Sequence, residues 1–159
     1  MVSASKSARF ELRLELDVEM LTTIRRFVES LYARLLDDEL AARVAMTAHE
    51  LIDNAMRYAT AGEVFVRIEI ADGAVRIHTE NRAEERHIVS LQRAFGEMEK
   101  SDNAMQYYLE LMDRTARRTD ISGLGLGRVW AEADMNLSLE TRSDTVSVLA
   151  QVPVQGKVA

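Results

Sequence analysis

The sequence predicts an α/β fold of the α+β kind, a two-layer sandwich with a mixed, mostly antiparallel sheet and helices on one face. Three observations carry this. Five short stretches alternate apolar with polar residues, the pattern of strands with one buried face. Between them apolar residues recur every three or four positions, as on amphipathic helices. Four of the strand stretches form adjacent pairs joined by turn residues, which favours antiparallel hairpins.

Residues 9–17 open the chain as a half-buried strand, with Phe10, Leu12, Leu14 and Leu16 against Glu11, Arg13 and Glu15. Asp17 is placed to cap a helix over 18–36, whose apolar side is Met20, Ile24, Phe27, Val28, Leu31 and Leu35. A second helix spans 38–60 on the stripe Leu40, Val44, Ala48, Leu51 and Ala55, and Gly62 follows its end. Strands at 63–71 and 74–79 alternate on Val64, Val66, Ile68 and Ile70, then Val75 and Ile77, around the hairpin signal Asp72-Gly73. Helical spacing returns in two segments between 84 and 115, through Ile88, Leu91, Phe95 and Met98, then Met105, Tyr108, Leu109 and Met112. A basic stretch and a glycine cluster lead to a short helix at about 128–133 and strands at 136–141 and 145–152.

The 159 residues contain one proline, Pro153, and no Pro- or Gly-rich linker, so a single domain over 1–159 is expected. With 47% apolar residues the chain can build a core. A net charge of −6 and a pI near 5.2 argue against non-specific binding to nucleic acid or to an anionic membrane. Cysteine is absent, and His49, His78 and His87 are too scattered to form a metal site. No apolar run is long enough for a bilayer and the first residues lack an apolar leader, so the expected location is the cytoplasm.

Two motifs carry chemistry. In His49-Glu50-Leu51-Ile52-Asp53-Asn54-Ala55, Glu50 and Asn54 share a helical face, near Met46 and Asp53. A carboxylate beside a carboxamide can position a water and offer oxygen to Mg²⁺; a solvated polar face is the ordinary alternative. In Gly123-Leu124-Gly125-Leu126-Gly127, glycines just before a helical pattern let backbone amides approach an anion at the helix N-terminus, with Ser122 as a cap or donor. Alone, such a repeat also reads as a flexible loop. It is neither a dinucleotide fingerprint nor a P-loop.

Taken in this order (Glu-x-x-x-Asn helix, strand hairpin, helical insertion, Gly-Leu-Gly-Leu), the chain resembles the GHKL ATPase superfamily, which includes histidine-kinase catalytic domains, gyrase and the anti-sigma-factor serine kinases. The resemblance covers most of residues 10–152 and implies ATP and Mg²⁺ as cofactors. It implies Glu50 as the catalytic base, Asn54 as the Mg²⁺ ligand, and a nucleotide held by Gly123, Leu124, Gly125, Leu126 and Gly127 with Ser122, under a lid at about 82–121. Arg57 would reach phosphate beside Asp53, though an ordinary Asp53–Arg57 ion pair is the simpler reading. The chain is most similar to stand-alone regulatory kinases of the anti-sigma type. That implies protein partners in a partner-switching system with an antagonist and a phosphatase, and a homodimer through the first strand.

Two departures matter. The family's Asp-x-Gly-x-Gly after the second hairpin strand, whose Asp reads adenine, is replaced by Thr79-Glu80-Asn81-Arg82. Thr79 stands in the place of the Asp, without its charge. The lid reads as two amphipathic helices instead of a glycine-rich loop. Both features are similar to a subgroup of small proteins found in phosphatase-linked switches. Three readings therefore stay open: an ATP-dependent protein serine/threonine kinase, an inactive module working by protein contact, and a pocket for a different nucleotide-like ligand. Lesser expectations are that Arg117-Arg118 are solvated, that His49 packs on its helix, that Trp130, Tyr107 and Tyr108 pack in the core or lid, and that the eight methionines fill the core.

Overall fold

A computed structural model describes residues 7–15, 17–117 and 123–154. Five strands, β1 (Ala8–Leu14), β2 (Val64–Ala71), β3 (Ala74–Arg82), β4 (Asn136–Arg142) and β5 (Thr145–Pro153), form one sheet in the order β1-β2-β3-β5-β4. Every neighbouring pair is antiparallel, so the expected parallel component is absent among the described residues. Five helices complete the fold: α1 (Leu21–Tyr32), α2 (Asp38–Tyr58), α3 (Glu85–Lys100), α4 (Ala104–Ala116) and α5 (Leu124–Glu132). The layers are those expected of an α+β sandwich.

The alternation sets the layering. Val64, Val66, Ile68 and Ile70 are buried, as are Val75 and Ile77 on β3 and Val146, Val148 and Ala150 on β5. They join Leu51, Ile52 and Ala55 of α2 and Leu126 and Val129 of α5 in one cluster. Tyr32 is fully buried beneath α1, and its hydroxyl donates to the Ile68 carbonyl at 3.0 Å. The opposite face of the sheet is polar; there the Arg13 and Arg67 guanidiniums lie 5.1 and 5.3 Å from the Phe65 ring centre.

Local chemistry fixes the ends. Asp72 and Gly73 both have positive φ, 51° and 71°, as a tight two-residue hairpin demands. Asp37 caps α2, its carboxylate accepting from Leu40 N at 2.9 Å, while Asp38 and Glu39 in the first turn and Arg57 in the last complement the helix dipole.

Several boundaries differ from expectation; β1 ends at Leu14, short of the expected 17, and α2 ends at Tyr58, short of 60. The helix expected over 18–36 divides into a 3₁₀ turn at Val18–Met20 and α1, which stops at Tyr32. A tight turn follows, with Leu35 N and Leu36 N donating to the Tyr32 carbonyl, and it brings Asp37 to its capping position. β3 runs to Arg82, three residues past its expected end, because β5 pairs with it throughout and Ala83 N donates to Asp144 O at 2.8 Å. The helix expected at 128–133 begins at Leu124, so four residues of the glycine motif are helical. Leu16, expected in the first strand, lies outside the described residues.

Candidate functional site

One cleft of about 250 Å³ is lined by Glu50, Asp53, Asn54, Arg57 and Tyr58 of α2 and by Gly123, Leu124 and Gly125 at the start of α5. The two motifs, some 70 residues apart in sequence, therefore meet. The helical period of α2 aligns Glu50, Asp53, Asn54 and Arg57 on one side while Leu51, Ile52 and Ala55 bury the other. Asp53 and Arg57 form an ion pair at 2.8 Å.

Gly123 is the N-cap of α5, with φ 107°, in a region L side chains rarely adopt. The helix's bond from Gly127 N to Gly123 O leaves the amides of Leu124, Gly125 and Leu126 without an intrahelical acceptor. Such amides, at the positive end of a helix, suit an anion. Beside this turn, at Gly125, lies Glu50. A Cβ added at Gly125 would lie 2.5 Å from Glu50 Oε2, so the missing side chain is what lets the carboxylate lie against the helix. Glu50 Oε1 accepts from Arg128 at 3.2 Å, and Arg128 also bonds Glu132 at 2.8 Å. The hydrogen bond to Glu132, reinforced by the charges of Glu132 and Glu50, holds the Arg128 pKa above its ordinary value.

The remaining glycine-motif residues face elsewhere. Leu126 is in the core, and a Cβ at Gly127 would meet Leu111 Cδ2 at 3.2 Å, with Tyr108 and Tyr107 just beyond. Gly127 thus admits α4 close to α5. Thr79 is 2% exposed, on the face of β3 that packs under the helices, and does not line the cleft. The stretch 79–82 is held as sheet from both sides, Thr79 pairing with Val66 and Val148, and Thr60 N donating to Arg82 O at 3.0 Å. Ser122 and Arg118 lie outside the described residues; Arg117 is exposed, 3.7 Å from Asp113. Trp130 packs edge-on to Tyr107 at 5.7 Å between ring centres, and Tyr107 and Tyr108 are buried.

Two contributors carry no signal that was read from sequence. Arg128, four residues past Leu124, reaches Glu50 from 78 positions away. Tyr58, four residues after Asn54, stacks on His87 of α3 with ring centres 3.7 Å apart. Burial lowers the His87 pKa to about 4, so this imidazole is neutral at pH 7.

No group of three or more His, Asp or Glu side chains suited to a metal exists among the described residues. A Mg²⁺ ion here would lean on Asn54, a neighbouring carboxylate and phosphate oxygens, which is how Mg²⁺ is usually held. The donors fit a phosphate group; the volume, below the ~300–1,000 Å³ of typical ligand pockets, fits a whole nucleotide only if the cleft widens.

No protein-family model and no curated protein matches the chain. Among solved structures, a chain of the SiaB–SiaC complex from Pseudomonas aeruginosa aligns with a TM-score of 0.64. The fold is shared. Identity is 18%, and the alignment spans 90% of this chain and 89% of that one, so the likeness extends over nearly all elements. No helix among the described residues is long and apolar enough to cross a membrane.

Proposed function

We propose that the chain is a GHKL-type signalling regulator that takes a nucleotide with Mg²⁺ in the α2–α5 cleft and acts on a protein partner in a partner-switching system, as a serine/threonine kinase. The observation that carries this is the convergence of Glu50 and Asn54 with the start of α5, whose first amides have no acceptor within the helix. The fold shared with a chain of a two-protein complex accords with a protein partner.

In this reading the amides of Leu124, Gly125 and Leu126 neutralise phosphate charge, and Asn54 supplies a neutral oxygen to the ion. Asn54 would hold Mg²⁺ beside the phosphates, where the ion would offset charge that builds up during transfer. Glu50 accepts the proton of the partner's hydroxyl. To do so it must leave the first turn of α5 and give up Arg128 at 3.2 Å, which frees that guanidinium to face phosphate. Tyr58 offers a flat face once His87 moves.

A second reading, a module that binds without catalysis, is favoured by one observation: Glu50 is already engaged by Arg128 while residues 79–82 are locked in the sheet. Calorimetric titration with ATP, with and without Mg²⁺, separates the two. Mg²⁺-dependent binding that Asn54→Ala weakens, with partner phosphorylation that Glu50→Ala abolishes, supports the kinase. Absence of nucleotide binding refutes it and leaves the module.

A further inference from the structure

A second cleft, of about 380 Å³, shares no residue with the first. Phe95 and Met98 of α3, Trp130 of α5, and Leu137 and Leu139 of β4 give it an apolar floor. Asn136 and Ser138 line it too, although they alternate with the two leucines and so lie on the other face of the sheet. A cleft lined from both faces of one strand runs along that strand's edge. Among the described residues that edge is open: β4 pairs only with β5, so alternate N–H and C=O groups of β4 point away from the sheet. At one end Gln92 Nε2 donates to Thr141 Oγ1 at 3.2 Å and closes the groove, which leaves 136–139 accessible.

Two further features single the groove out. Gly96 lies in the interior of α3, where glycine is among the poorest residues, yet a Cβ added there meets nothing within 4 Å. Neither packing nor a positive φ requires this glycine, and a side chain at 96 would stand in the groove. Glu99 is the one charged residue lining it, is exposed, and has no ion partner among the described residues.

We propose that this groove docks an extended segment of a protein partner, added as a strand to β4. Apolar side chains of that segment sit against Phe95, Met98, Trp130, Leu137 and Leu139, and a Lys or Arg faces Glu99. Main-chain bonds to an edge strand supply affinity and alternate side-chain pockets supply specificity in this mode of recognition. An unpaired edge over an apolar floor would otherwise invite aggregation. The proposal does not depend on the nucleotide cleft.

The test uses the full chain without nucleotide and a fluorescein-labelled decapeptide of alternating Leu and Lys, read by anisotropy. The peptide binds the wild type; Gly96→Leu weakens binding at least about tenfold while its melting temperature is unchanged or raised. Exchanging Lys for Glu in the peptide weakens binding, and Glu99→Lys inverts that preference. N-methylation of alternate peptide amides abolishes binding, amide exchange at 136–139 slows in the complex, and Asn54→Ala binds as the wild type does. No binding to the wild type, equal binding to Gly96→Leu, or indifference to N-methylation each overturns the proposal. So does a wild-type dimer in sedimentation that Gly96→Leu renders monomeric, since the occupant is then a second copy.

Discussion

Replacing Gly125 by alanine tests how the two motifs are coupled. On the present backbone the new Cβ would sit 2.5 Å from Glu50 Oε2 and 3.4 Å from its Cδ. The nearer contact is impossible, but the atom is the end of a rotatable side chain, so Glu50 swings away and the fold stays. The loss is the Glu50–Arg128 pair, whose side chains are 16% and 41% exposed; part-exposed pairs are worth about 0–1 kcal/mol. The gain is alanine for glycine in a helix, about 0.5–1 kcal/mol. The two nearly cancel, so urea unfolding should place Gly125→Ala within about 1 kcal/mol of wild type. Partner phosphorylation, for which Glu50 must leave this turn and give up Arg128, should be retained. A loss beyond about 2 kcal/mol, or a structure of the variant with the Glu50–Arg128 pair intact, would refute the reasoning.

Other outcomes follow from the same coordinates. Gly127→Ala brings a Cβ to 3.2 Å from Leu111 Cδ2 in a buried seam, so it should cost about 1–2 kcal/mol in the same unfolding assay, since overpacking outweighs helix propensity. Tyr32→Phe removes the buried hydroxyl that donates to Ile68 O and should cost about 1 kcal/mol in denaturant melts. His87 titrates near 4 in the folded chain against 6.5 unfolded, so the unfolded state binds more protons between those values. Wild-type stability is therefore full above pH 6.5 and declines towards pH 4, by at most about 3 kcal/mol; His87→Phe, which keeps the stack on Tyr58, should flatten that part of the pH curve.

Periodicity reveals what apolar side chains dictate. The Asp72-Gly73 hairpin, the long run of α2 and the helices α3 and α4 are all legible, because one residue pair or one continuous stripe decides each. β3 was read three residues short because its last inward positions are Thr79 and Asn81, buried yet polar, so hydrophobic alternation fades where the strand continues. The start of α5 was hidden for a related reason. Glycine reads as a helix breaker, and only the carboxylate of Glu50 beside Gly125 and the Tyr108–Leu111 surface beside Gly127 make it the residue that fits. The pairing of the Glu-x-x-x-Asn face with the Gly-Leu repeat was legible through resemblance, whereas Arg128 as the ion partner of Glu50 leaves no local trace.

The strand order also bears on how the chain folds. β2–β3 and β4–β5 are neighbours in sequence and close as hairpins within microseconds, at small entropic cost. The β3–β5 seam joins them only after three helices have been spanned, and β1 must wait for β2 across α1 and α2. Ordering the seam is thus the slow, non-local event. Until it closes, Ile77 lacks Ala150 and Val148 lacks Thr79, each being paired on one side only, and the polar clamp of Arg82 on Asp144 at 2.7 Å can fasten only then. Asn81 and Arg82, which pair with β5 beyond the end of the β2–β3 ladder, gain strand order only when the seam closes, so sequence change there would be felt in refolding rate before it is felt at the cleft.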